Sequence, residues 1–267
     1  MPKQPVWKAI DLGVMAYADV HELQKSLAAE LQSLDRDADA PDTLLLVEHP
    51  PVITTGRHGG AENLLVDAEL LKERGVALVQ TERGGNITCH FPGQLVAYPI
   101  ARLLPRKADD AAANSDGPRR PAGVKEFFND LETIIMRTLA RFGLKGEQIP
   151  GRSGVWIENR KICALGIAVK RRVTFHGLAL NVGNDLSLFD LITPCGLADA
   201  SVTSLHRELG CEDVSMAEVK TIFLEEFRDY YRLDPLEIHP GRRKNNANNK
   251  FCSNGRHRRP GKAFAGN

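Results

Sequence analysis

Short apolar runs of strand length alternate along this chain with longer segments whose hydrophobic residues recur at helical spacing. The helical spacing predicts amphipathic helices over 17–34, 67–74, 124–143 and 216–231. The apolar runs predict strands over 43–47, 76–80, 95–100, 154–158, 161–169 and 172–182. Helices interspersed with strands predict an α/β (α+β) domain, with a mixed sheet flanked by helices.

Two local features refine this order. The chain is expected to open with helix 17–34 and continue into strand 43–47, and the prolines and glycines of EHPPVITTGRHGG predict a loop after that strand. The dipeptide Asn159-Arg160 is expected to join strands 154–158 and 161–169 as a tight hairpin, with strand 172–182 third in the same meander.

The chain of 267 residues is long enough for a sizeable core, which we expect in one folded domain over residues 1–235. Residues 106–122 are polar and lack periodicity, so they predict a flexible surface insertion. Residues 236–267 predict a basic, disordered tail. Its part from 241 onward carries eight Lys or Arg and no acid, which leaves 27 basic against 34 acidic side chains in residues 1–240.

Composition also excludes several classes of protein. No apolar run reaches the roughly 18 residues of a spanning helix, and the N-terminal residues do not resemble a signal peptide, so we expect a cytoplasmic protein without a membrane partner. The five cysteines form an odd set without CxxC spacing, which predicts reduced thiols rather than disulfides or a zinc site.

Two loop segments could carry chemistry. The glycine pair in RGGNITCHFPGQ (83–94) would let backbone approach a ligand closely. Cys195 lies between a proline and a glycine, so its thiol should be presented on a turn rather than packed. A nucleophilic thiolate needs a nearby cation, and spacing alone does not choose among Lys161, Lys170, Arg171, Arg172 and His176.

Four stretches, taken together and in order, resemble the lipoyl(octanoyl) transferase family: EHPPVITTGR (48–57), RGGNITCHFPGQLVAYPI (83–100), GVWIENRKICALGI with VTFHGLALNV (154–182), and ITPCGLADASVTSL (192–205). The resemblance runs from about residue 10 to 232. It implies an acyltransferase with the fold of the biotin and lipoate protein ligase catalytic domain.

The resemblance also implies roles for individual residues. Cys195 would be the acyl-thioester nucleophile and Lys161 the catalytic lysine beside it. The substrate-binding residues would be Arg83, Gly84, Gly85, Asn86, Ile87, Thr88, Cys89, His90, Ala164, Leu165, Gly166, Gly177, Leu178 and Ala179. Cys89 and Phe91 depart from the family pattern, which usually has Tyr before the motif histidine and Gly after it.

The implied reaction takes an octanoyl or lipoyl group from an acyl carrier protein thioester to a lysine of a lipoyl domain. The acceptors would be the E2 subunits of 2-oxoacid dehydrogenases and the glycine cleavage H protein. We expect neither a cofactor nor a metal ion. One alternative is an ATP-dependent lipoate or biotin protein ligase on the same fold, which has no use for Cys195. The other is a non-enzymatic protein that binds nucleic acid or another acidic partner through the basic tail, but no nucleic-acid motif accompanies that tail.

Overall fold

The computed structural model describes residues 7–34, 40–57, 59–103, 119, 121–193, 201–233 and 237–240. Its helices are α1 (Tyr17–Ser33), α2 (Ala68–Glu73), α3 (Val124–Arg141), α4 (Leu205–Leu209) and α5 (Met216–Tyr231). Its strands are β1 (Trp7–Val14), β2 (Asp42–Glu48), β3 (Val52–Thr55), β4 (Ala77–Gln80), β5 (Thr88–His90), β6 (Gln94–Ile100), β7 (Glu147–Ile149), β8 (Arg152–Ile157), β9 (Arg160–Lys170), β10 (Val173–Asn181), β11 (Ser201–Val202) and β12 (Glu237–Pro240).

These strands form two sheets within the described ranges. The larger sheet has the order β12-β1-β2-β6-β10-β9-β8-β7, and β11 pairs with β9 beside that path. Strand β1 runs parallel to β2 and β12, and β11 runs parallel to β9. The remaining pairs are antiparallel: β2 with β6, β6 with β10, β10 with β9, β9 with β8 and β8 with β7. The smaller sheet has the order β4-β3-β5. The predicted mixed sheet flanked by helices is therefore confirmed.

Strand β2 is apolar on both faces because helices cover both sides of the large sheet. Successive side chains of a strand point in opposite directions. Leu44 and Leu46 accordingly join the cluster that contains α3 and α5, while Leu45 and Val47 join the cluster that contains α1. A continuous apolar run is the pattern expected for such a central strand.

Three local predictions were wrong. The chain opens with β1 rather than with a helix, and a strand, Val52–Thr55, lies inside the segment predicted to be a loop. The prolines of that segment precede β3, and its glycines follow it, so the β-branched run VITT between them is free to pair. The hairpin turn is Glu158-Asn159, because Ile157 already pairs with Arg160 and Glu158 takes the left-handed φ of 56°.

Strand β12 extends the large sheet past residue 235, to Pro240. Within the predicted insertion, the N–H of Arg119 donates to the carbonyl of Tyr231, with N and O 2.9 Å apart. Most of 106–122, and all of 241–267, lie outside the described residues. Among the described helices, none has the length and apolar character needed to cross a membrane.

Candidate active site

The loop that joins β4 to β5 lies across the edge between the two sheets. The N–H of Gly84 donates to the carbonyl of Ile167 in the large sheet, with N and O 3.0 Å apart. The Arg83 guanidinium points toward the small sheet and donates to the carbonyl of Thr54 at 2.6 Å. This loop therefore connects the sheets, and Arg83 is a buried positioning group as well as part of the pocket wall.

Close backbone contacts require glycine on both sides of this loop. A Cβ on Gly56 would lie 2.1 Å from the carbonyl oxygen of Gly85, and one on Gly166 would lie 2.9 Å from that of Gly84. Real Cβ atoms essentially never come this close to backbone oxygen. The glycines of the RGG motif thus meet Gly56, which follows β3, and Gly166 of β9, and the loop lies against backbone at these points.

Beside this loop is a pocket, open to solvent, with about 530 Å³ of space. Small residues of β9 and β10 form one wall, where Gly166 pairs with Gly177 and Ala164 pairs with Ala179. The full lining is Tyr17, Arg83, Gly85, Asn86, Ile87, Thr88, His90, Tyr98, Ser153, Lys161, Ala164, Leu165, Gly166, His176, Gly177, Leu178 and Ala179. Small residues at facing positions leave a slot into which an unbranched chain could fit.

Lys161 is a mostly buried lysine of this wall, with 6% of its surface exposed. Its Nζ atom lies 4.7 Å from the centre of the Trp156 ring, within the range of a cation–π interaction. Its backbone pairs with Val202 of β11, and its carbonyl accepts a hydrogen bond from the N–H of Thr203. The strand that follows the Cys195 segment is therefore attached directly to Lys161.

Cys195 itself lies outside the described residues, which stop at Thr193 and resume at Ser201. The flanking residues are anchored on both sides. The N–H of Thr193 donates to the carbonyl of Asn63 at 2.8 Å, and Ser201 pairs with Arg160. The segment that contains Cys195 thus begins and ends at fixed positions, the second of them beside Lys161.

Three buried imidazoles belong to the pocket region: His90 and His176 in its wall, and His49 behind it. The Nδ1–H of His49 donates to the carbonyl of Met15, and its Nε2 accepts from the hydroxyl of Tyr98, at 2.8 and 2.9 Å. Burial lowers the pKa of His49 to about 4 and the pKa of both His90 and His176 to about 3. All three rings are therefore neutral near pH 7.

The candidate cations for thiolate formation can now be separated. His176 lines the pocket but, with its pKa lowered by burial, carries no charge near pH 7. Lys170, Arg171 and Arg172 are exposed at the turn between β9 and β10 and do not line the pocket. Of the five candidates, Lys161 is the cation that the fold places in the pocket wall.

Among the described residues, His21, Glu82 and His176 could offer three ligand atoms to a metal ion, and these atoms lie within 4.8 Å of one another. His21 Nε2 and Glu82 Oε2 are already hydrogen-bonded at 3.0 Å. The positive charge of Arg83 acts on His176 and would oppose a second cation. This donor set therefore fits a hydrogen-bonded cluster better than a metal centre.

Several known proteins are similar to this chain in sequence or in fold. Residues 16–228 match the family model described as the lipoyl protein ligase A/B catalytic domain. Over 218 residues the chain is 53% identical to the octanoyltransferase of Nitratidesulfovibrio vulgaris strain DP4, which covers 82% of this chain and 91% of that protein. The chain belongs to the octanoyltransferase family. The predicted family and enzyme class, an acyltransferase, are thereby confirmed.

Other relatives and one solved structure agree with this membership. The octanoyltransferase of Chloroflexus aurantiacus strain J-10-fl is 43% identical over 227 residues, or 84% of this chain and 93% of that protein. The crystal structure of lipoate-protein ligase A bound with ATP superposes with a TM-score of 0.64 and covers 90% of each chain. Its 16% identity shows the fold alone.

The structure brings most of the predicted site residues of this octanoyltransferase family member into one pocket. Of the predicted residues that the structure describes, two do not line it: Gly84 and Cys89. Gly84 lies behind the loop against β9, and Cys89 has 0% exposure on the face of β5 that packs in the small-sheet core with Phe91. Both departures from the family pattern, Cys89 and Phe91, therefore lie in that core and not in the pocket wall.

Sequence reasoning missed four residues of the lining: Tyr17, Tyr98, Ser153 and His176 as a wall residue. Their spacing in the sequence predicts that Tyr17 and Tyr98 are ordinary core residues of a helix and a strand, and both are buried. His176 has a φ of 59°, which is rare inside a strand and marks the residue as unusual. This angle can be seen only in the structure and not in the sequence. The N–H of His176 donates to Oε1 of Gln24, which holds this conformation.

Proposed function

We propose that the chain transfers an octanoyl or lipoyl group from an acyl carrier protein thioester, through an acyl-Cys195 intermediate, to a lysine of a lipoyl domain. The acceptors would be the E2 subunits of 2-oxoacid dehydrogenases and the glycine cleavage H protein. Family membership supports the reaction class. The observation that carries the assignment is the position of Lys161, in the pocket wall and next to the strand that follows the Cys195 segment.

The first step forms the acyl-enzyme. The Cys195 thiolate attacks the thioester carbonyl, a new carbon–sulfur bond forms, and the bond to the carrier sulfur breaks. The departing carrier thiolate takes a proton from the Lys161 ammonium and leaves as the thiol, which makes Lys161 neutral. Lys161 as an ammonium group stabilises the thiolate, because an opposite charge nearby favours the ionised form. The acyl chain would lie in the slot between the RGG loop and the small residues of β9 and β10.

The second step transfers the acyl group to nitrogen. The substrate lysine must be neutral to attack, and Lys161, neutral after the first step, would accept the proton that the attacking amine loses. The amide bond forms, the bond to Cys195 breaks, and the Cys195 thiolate and the Lys161 ammonium are restored together. No nucleotide is needed in this scheme, since a thioester already holds the acyl group in activated form.

An intact-mass experiment tests the reaction. The full chain is incubated with octanoyl carrier protein without ATP. One portion is digested to map the adduct, and another portion is mixed intact with an unmodified lipoyl domain. We expect one octanoyl adduct on Cys195 that disappears as the lipoyl domain gains octanoyl. Cys195→Ser should abolish adduct and transfer, while Cys211→Ser, at an exposed position outside the pocket, should retain both.

The same assay contains the alternative as a second arm. An ATP-dependent ligase would modify the lipoyl domain from free octanoate with ATP and would do so in the Cys195→Ser variant. An adduct on another cysteine, or a requirement for ATP, would overturn the proposal.

A further inference from the structure

We propose that Gln94 and Asn181 are positioning residues of this site: they form a buried amide relay that fixes the orientation of His90 in the pocket wall and ties it to Thr203, next to Lys161. The inference rests on the proposed function. His90 belongs to β5, Gln94 to β6 and Asn181 to β10, and Thr203 follows β11. Gln94 and Asn181 face each other across the antiparallel pair β6 and β10.

The relay is a continuous series of hydrogen bonds. The Nδ1–H of His90 donates to Oε1 of Gln94 at 2.7 Å, and Nε2–H of Gln94 donates to Oδ1 of Asn181 at 2.9 Å. Nδ2–H of Asn181 then donates to the carbonyl of Thr203 at 2.9 Å. The N–H of Thr203 donates to the carbonyl of Lys161 at 2.9 Å. His90 and Lys161, both in the pocket wall, are thereby connected.

Two backbone carbonyls determine the direction of every bond in this series. Nε2 of Gln94 also lies 3.3 Å from the carbonyl oxygen of Cys89, and a carbonyl can only accept. Gln94 must therefore turn its NH2 group toward Cys89 and its oxygen toward His90. At the other end, the carbonyl of Thr203 requires the NH2 group of Asn181 in the same way.

The orientation of Gln94 settles the tautomer of His90. Since an amide oxygen faces Nδ1, that nitrogen carries the proton, and Nε2 of the neutral ring is the acceptor. Nε2 has no protein hydrogen-bond partner within the described part of the chain. The reaction brings one strong donor to the pocket, the amine of the incoming lysine, and an acceptor in the wall can orient it.

Burial makes the relay sensitive to substitution. Gln94, Asn181 and Thr203 have 0%, 3% and 2% of their surface exposed, so water cannot replace a lost partner. A purely structural network would lower stability when broken. A positioning network would in addition lower kcat, because small misplacements of reacting groups cost up to about a hundredfold in rate.

Nuclear magnetic resonance of the full chain with 15N-labelled histidine tests the tautomer without reference to activity. The His90 signals, assigned by their absence in His90→Gln, should show a protonated Nδ1 and an unprotonated Nε2 at pH 7. A protonated Nε2 would overturn the proposal even if acyl transfer proceeds through Cys195.

Kinetics test the coupling. Gln94→Met and Asn181→Asp should lower kcat for octanoyl transfer by about tenfold to a hundredfold. Gln94→Met combined with His90→Gln should be no slower than His90→Gln alone, because Gln94 acts through His90. Tyr231→Phe is the control, since it removes the hydrogen bond from the buried Tyr231 hydroxyl of α5 to Asp130 of α3, outside the pocket, and should lower stability with kcat unchanged.

The outcomes separate this inference from the proposed function. Relay variants that lose stability like Tyr231→Phe but keep wild-type kcat, or effects of Gln94→Met and His90→Gln that simply multiply, would refute the relay and leave the Cys195 mechanism in place. If the wild-type chain formed no acyl-Cys195, the proposed function would fail, and the positioning role would fail with it, whatever tautomer the resonance experiment showed.

Discussion

The Nζ atom of Lys161 lies 4.7 Å from the centre of the Trp156 ring, and the same lysine lies in the wall of the pocket. The aromatic face favours a cation without hydrogen-bonding to it. The ring therefore supports a charged lysine at this position. Since β9 fixes the backbone and Trp156 the side chain, this cation has a defined position before substrate binds.

Lys161→Ala should shift the alkylation of Cys195 by iodoacetamide to higher pH, because removal of a nearby cation disfavours the thiolate. Peptide mass spectrometry across a pH series measures this. Lys161→Arg separates charge from proton transfer, since arginine stays protonated: alkylation should remain near wild type while octanoyl transfer falls. Lys170→Ala, at the exposed end of β9, is the matched control. Unchanged profiles in Lys161→Ala would make Lys161 an ordinary structural lysine.

Gly177→Ala should destabilise the fold and close part of the pocket. The added Cβ would lie 2.1 Å from the carbonyl oxygen of Ala97, so β10 and β6 must separate. We expect a loss of about 1–3 kcal/mol in the free energy of unfolding, the usual cost of overpacking, measured by urea denaturation. In the control Gly183→Ala the nearest contact is an ordinary 3.5 Å, and stability should hardly change. Equal losses in both variants would contradict the steric argument.

Stability should fall as the pH drops from 6.5 to 5. The pKa of His49 is lowered by burial from 6.5 to about 4, so in this window the unfolded chain binds a proton that the folded chain does not. His90 and His176, with pKa values near 3, add in the same direction. Each such histidine contributes a slope of up to about 1.4 kcal/mol per pH unit.

Urea unfolding at several pH values measures that slope. His49→Gln should reduce it by close to one histidine's share. A wild-type stability that is flat between pH 6.5 and 5 would contradict the prediction, because it would mean that the folded and unfolded chains take up protons equally in this window.

Limited proteolysis should yield a stable core that ends near residue 240. Strand β12 pairs with β1 up to Pro240, and the polar composition beyond it offers little apolar surface to offset an ordering cost of about 1–2 kcal/mol per residue. The polar stretch 106–118 should also be cut. Mass spectrometry of the fragments locates both sites, and full protection of either segment would contradict the prediction.

The parts of the fold that the sequence predicts are those in which one local pattern dominates. Helix α3 shows a single apolar stripe, and β2 is apolar throughout because both its faces are covered. Strand β3 was missed because its four residues lie between turn residues that dominate any sequence window. The two-sheet arrangement depends on pairing between distant segments, such as β3 with β4, which no local pattern encodes.

The site shows the same division. Motifs indicated the RGG loop, Lys161 and the glycines of β9 and β10, because close backbone approach and charge leave a mark on residue type. The contribution of Tyr17 and Tyr98 left no such mark, since a buried tyrosine in the core and one in a pocket wall have the same spacing. Substrate binding by these residues and catalysis by Cys195 stay predictions.

The pocket lies where the RGG loop of the small sheet meets the backbone of the large one, and Gly84 hydrogen-bonds across that boundary to Ile167. A chain bound there would contact both sheets at once. Binding of an acyl chain and association of the two sheets are therefore thermodynamically linked. A bound acyl chain must raise the free energy needed to separate the sheets, by an amount set by its affinity and concentration. Thermal melting with and without a bound acyl chain would thus report on occupancy even in a variant that cannot react.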